Sequence, residues 1–109
     1  MAVTRMMADL PNELLENYFH NLVNQFFKIL PMKEDGEPSL EEYMKSLLLE
    51  LRGCTGIMAE LNHDSMFMSL MATLQYLIDN DCETAVVKRE VFKCITICKR
   101  IAKKYHFEV

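Results

Sequence analysis

Cys94 and Cys98 stand four residues apart, a spacing that puts two thiols one turn apart on a helix face. Two thiolates so placed supply half of a tetrahedral zinc site, and Cys54 and His63 are the side chains able to complete it. No paired CxxC or HxxxH accompanies them, and a redox CxxC is absent. Both cysteines also fall on an apolar helical stripe, where a free thiol packs as a small hydrophobe. The expectation is core packing, with no metal and no cofactor. Nine methionines, with Met66, Met68 and Met71 close together, offer thioethers to copper(I). Unbranched methionine also fills irregular cores and adaptable contact surfaces, and that use is expected here.

The last quarter of the chain has the sharpest surface pattern. At about 100° per residue, Lys88, Arg89, Lys93, Lys99, Arg100, Lys103 and Lys104 fall on one arc of roughly 160°. Phe92 projects from within that arc. A basic face carrying an aromatic ring can bind phosphates and stack a base. The competing reading is a solvated helix face, with Phe92 folded onto a neighbouring helix or buried in a dimer. Residues 1–82 hold 5 Lys/Arg and 13 Asp/Glu, a formal charge of −8, and residues 83–109 hold 7 and 3, a charge of +4. The net charge of −4 works against drawing in a polyanion. A nucleic-acid-binding regulator using this face is therefore the alternative expectation.

Arg100 and His106 form an Arg-x5-His pair near the end of the same segment. The pair resembles the Arg-x(4–6)-His motif of the HEPN family of all-α ribonucleases. The resemblance covers seven residues and the helical class. It implies that Arg100 and His106 would act on an RNA phosphate across a dimer. Other catalytic patterns are missing: there is no Gly-rich phosphate loop, GxSxG or HExxH, and not the two Glu-x-x-His motifs of the di-iron bundles. His20 sits among Asn17, Asn21, Asn24 and Gln25 on a polar face. The expectation is a protein that is not an enzyme.

Alternating steps of 3 and 4 dictate the elements that carry these residues. Leu15, Phe19, Leu22, Phe26 and Ile29 follow the pattern, as do Leu40, Met44, Leu47, Leu51, Cys54, Met58 and Leu61. Phe67, Leu70, Leu74 and Leu77 repeat it, and Val87, Val91, Cys94, Cys98, Ile101 and Tyr105 close it. Each series lies on one stripe of a helix, and each stripe needs a partner. The spacing predicts helices over about 11–30, 39–61, 65–79 and 85–105 in one domain of 109 residues. Pro31 is expected to end the first helix at Leu30. Ser39 with Glu42 fits a capping box, Asp64 an N-cap, and Thr84 the cap of the last helix. Gly53 and Gly56 lie inside the second helix, where they are expected to permit close helix approach or a kink. Short connections favour an all-α fold, an antiparallel up-down-up-down four-helix bundle.

No apolar run approaches 18 residues, so no membrane span is expected. Met1–Met7 carries one Arg and no apolar stretch, which does not fit a secretory signal. A cytoplasmic protein with reduced cysteines is expected. Beyond the main stripes lie second apolar rows: Val23, Phe27 and Leu30, then Leu48, Leu49 and Ile57, then Phe92 and Ile97. Val23, Phe27, Leu30, Phe92 and Ile97 form the expected partner-binding set, covered by a homodimer or a helical partner. The basic helix would then face acidic residues of that partner, such as those in Lys33–Glu42.

Overall fold

The computed structural model describes residues 12–57, 61 and 64–104. Five helices carry them: α1 (Asn12–Phe27), α2 (Ile29–Glu34), α3 (Leu40–Ile57), α4 (Ser65–Asp79) and α5 (Thr84–Lys104). No strand occurs among the described residues. Four of the helices are long, and their mutual packing makes an all-α bundle. α5 packs against α1, α2 and α4, while α3 packs against α4 and α2. No described helix is long and apolar enough to cross a membrane.

The heptad stripes form the core. Phe19, Leu22, Phe26, Leu51, Leu61, Phe67, Leu70, Leu74, Val91, Cys94, Cys98 and Ile101 are fully buried. Fully burying one Leu or Phe side chain is worth about 1.5–3 kcal/mol, so these stripes supply the main drive to fold. Met58 and Tyr105, which belong to the same stripes, lie outside the described residues.

Pro31 does not end the helical path. It occupies the third position of α2, where a missing N–H costs little. The break comes earlier, at Lys28. Phe27, the last residue of α1, is the one whose carbonyl a donor at position 31 would have bonded. Lys28 itself keeps helical angles (φ −62°, ψ −23°), and a short extra helix continues to Glu34. A Schellman closure then stops α2: the Glu37 N–H bonds the Met32 carbonyl (2.9 Å) and the Gly36 N–H bonds that of Lys33 (3.2 Å). Gly36 takes φ +64°, a left-handed conformation that glycine adopts without strain.

α3 runs through Gly53 without interruption. A β-carbon built on Gly53 would meet nothing within 4 Å, so this glycine permits no close helix approach. Asp64 caps α4 as the sequence predicts: its Oδ1 accepts from the Met66 N–H (2.9 Å) and the Phe67 N–H (3.1 Å). α5 begins one residue earlier than expected. The Glu83 carbonyl accepts from Val86 and Val87, which places Thr84 inside the helix rather than at its cap.

Candidate interaction surface

α5 divides its residues sharply between core and solvent. Val87, Val91, Cys94, Ile95, Ile97, Cys98, Ile101 and Ala102 are buried. All seven basic residues of the predicted arc are exposed. Their surroundings differ. Arg89 Nε lies 3.3 Å from Glu90 Oε1, and Lys93 Nζ lies 3.9 Å from the other oxygen of the same carboxylate. Lys104 Nζ lies 2.8 Å from Asp64 Oδ2. Lys88, Lys99, Arg100 and Lys103 make no ion pair among the described residues.

The arc has two flanks. On the flank toward α1, the Phe92 ring meets Phe27 edge to face, with centroids 5.9 Å apart at 83°. Both residues remain partly exposed, at 43% for Phe92 and 40% for Phe27. Phe92 is thus engaged by another ring across a helix seam rather than standing alone among cations.

On the flank toward α4, a groove of about 450 Å³ is lined by Ser65, Met66, Ser69, Lys93, Thr96, Ile97 and Arg100. The Thr96 hydroxyl donates to the Phe92 carbonyl (3.0 Å). Nothing in the linear sequence signals this groove, because it forms only when the start of α4 lies beside the middle of α5.

The expected partner-binding row breaks up. Val23 and Ile97 are buried, at 6% and 8% exposure, and Leu30 is half-buried against the core. Leu48, from the second row of α3, is buried as well. The reason is the width of the apolar stripe. A helix in a globular bundle buries a face of more than about 100°, wider than the two-position seam of a coiled coil. Second-row residues therefore belong to the core. Phe27, Phe92 and Leu49 are the members that stay exposed, and the Ile57 side chain lies outside the described residues.

Opposite charges collect at different places. The end of α2, the start of α3, the end of α4 and the start of α5 meet around a cleft of about 340 Å³. Glu34, Asp35, Glu37, Glu41, Glu42, Asp79 and Asp81 are exposed near that meeting point, with Lys33 paired to Asp81 at 3.5 Å. The other end of α5 carries Lys99, Arg100 and Lys103.

The cysteines are free thiols; Cys54, Cys94 and Cys98 are buried and Cys82 is half-buried. Burial, with help from the nearby Glu90 carboxylate, pushes the Cys94 thiol up to about 12. Burial also raises Cys98 and Cys54. Such thiols stay protonated and unreactive near neutrality. No group of three or more His, Cys, Asp or Glu side chains able to hold a metal occurs among the described residues. His63 and His106 lie outside those residues, so neither the Cys54–His63–Cys94–Cys98 set nor the Arg100–His106 pair is described as a unit. His20 is exposed on α1.

Tyr18 was not singled out by sequence. Its hydroxyl is buried with no hydrogen-bond partner among the described residues, and the Cys54 thiol beside it is only a weak acceptor. Burial drives its ionisation far above the ordinary phenol range.

Comparison with protein-family models, with curated proteins and with solved structures finds no match for this chain.

Proposed function

We propose that this chain is a non-enzymatic, cytoplasmic protein-interaction module that self-associates across the α1–α5 seam. The observation that carries this reading is the exposed Phe27–Phe92 pair. Two adjacent aromatic rings, each about two-fifths exposed, form an apolar patch that a second surface can cover. Basic Lys88 and Lys99 share the Phe92 side of the arc, which gives the patch the polar rim typical of an interface.

Charge segregation supports a second copy of the chain as the partner. An acidic end and a basic end on one body are complementary when two copies lie antiparallel about a two-fold axis. Each Lys99–Lys103 region would then face the acidic α2–α3 region of the other copy. Such pairing orients the copies more than it tightens them.

An up-down-up-down bundle is the framework of this reading. Tyr18 neighbours Cys54 while the Tyr43 hydroxyl bonds the Gln25 carbonyl at 2.8 Å, which supports antiparallel α1 and α3. The Lys104–Asp64 bond joins the end of α5 to the start of α4 and supports the same sense for that pair.

Sedimentation across a dilution series tests the seam. Phe92→Ser and Phe27→Ser should each weaken self-association at least about tenfold, in line with loss of a central aromatic anchor. Both rings are exposed, so the helical circular dichroism signal should persist. Variants that associate as tightly as the original chain would refute the seam.

A further inference from the structure

We propose that the groove between α4 and α5 binds the phosphodiester backbone of a single nucleic-acid strand, with Lys93 and Arg100 as its two phosphate contacts. The inference goes beyond self-association and uses the opposite flank of α5.

The lining supplies donors. Arg100 has no ion pair among the described residues, and its planar guanidinium matches a phosphate bidentately. Lys93 is held only loosely by Glu90, at 3.9 Å, and its side chain is 55% exposed. Ser65 and Ser69 line the same groove. The N-terminus of α4 contributes little, because Asp64 already occupies the Met66 and Phe67 amides.

Spacing argues for a polymer. Arg100 lies seven positions after Lys93, about 10 Å along the helix axis at 1.5 Å per residue. One free phosphate ion is too small to satisfy both cations without drawing the two side chains together. A strand carrying successive phosphates meets both. Arg89 extends the same row one turn further toward the start of α5. The net charge of −4 works against long-range steering, while the segment 83–109 is locally +4 and supplies the short-range attraction.

Fluorescence anisotropy of a labelled oligothymidine 15-mer with the full chain is the test. Non-specific strand binding falls in the 10⁻⁴–10⁻⁶ M range at physiological salt, so titration to about 100 μM protein suffices. Two phosphate contacts give a salt slope near −1.4, so binding should weaken about sevenfold between 50 and 200 mM salt. Arg100→Gln and Lys93→Gln should each leave one contact and reduce that loss to about threefold. Lys88→Gln, on the other flank, should keep the original slope. Dilution measurements on the same variants report self-association separately, so failure of either idea is distinguishable. Absence of binding, a slope near zero, or a slope lowered by Lys88→Gln as much as by Arg100→Gln would overturn the groove.

Discussion

Lys104 Nζ lies 2.8 Å from Oδ2 of the fully buried Asp64 carboxylate, tying the end of α5 to the start of α4 across forty residues of chain. The other oxygen of that carboxylate accepts from the second and third amides of α4, Met66 and Phe67. One side chain therefore caps a helix and anchors a second. Asp64→Ala should destabilise the fold by about 2 kcal/mol, the upper end for loss of an N-cap. Lys104→Ala should cost less than that, because the ammonium is half exposed and the Met66 and Phe67 amides still bond the carboxylate. Urea midpoints that rank the two variants the other way would contradict this division of roles.

Leucines separate by burial rather than by hydrophobicity. Leu47 and Leu74 are at 3% and 0% exposure, whereas Leu49 is at 70%. Truncation to Ala should cost about 2–5 kcal/mol at the first two positions. The same change at Leu49 should stay within about 0.5 kcal/mol of zero. Equal effects at all three positions in chemical denaturation would be incompatible with the packing.

Gly53 offers a stabilising substitution. It lies inside α3, is exposed, and has open space where a β-carbon would go. Gly53→Ala should raise stability by about 0.5–1 kcal/mol through helix propensity and a less flexible unfolded chain. A lower melting temperature for the variant would show that the space is not free.

Buried thiols make stability fall on the alkaline side. Folding favours the protonated thiol of Cys94, whose ordinary value of 9.0 is pushed up to about 12 by burial. Its contribution is complete below pH 9 and is lost as pH rises toward 12. Urea midpoints should therefore drop from pH 8 to pH 11, and drop less in Cys94→Ala. A thiol reagent at pH 8 should label half-buried Cys82 first, with Cys54, Cys94 and Cys98 following only on unfolding. Rapid labelling of all four in the native protein would exclude the buried assignment.

Much of the fold was legible because a heptad stripe constrains both helix type and buried face. Phe19, Leu22, Leu51, Leu70, Val91 and Ile101 are core residues by spacing and by burial. Asp64 was legible because a short acceptor before an apolar run suits the free amides of a helix start. Pro31 was misleading, since its cost depends on whether it sits inside a helix or in a first turn, and that depended on the break at Lys28. Val23 and Ile97 were misplaced because a periodic pattern marks the centre of an apolar face better than its edges. The Phe27–Phe92 contact and the Lys93–Arg100 groove were illegible: each depends on which helices become neighbours.

The most direct test of self-association is the mass of the full chain by light scattering after size exclusion at micromolar concentration. The Phe27–Phe92 seam predicts a species near twice the 12.7 kDa chain mass, decreasing on dilution. A monodisperse species at 12.7 kDa across that range would contradict it.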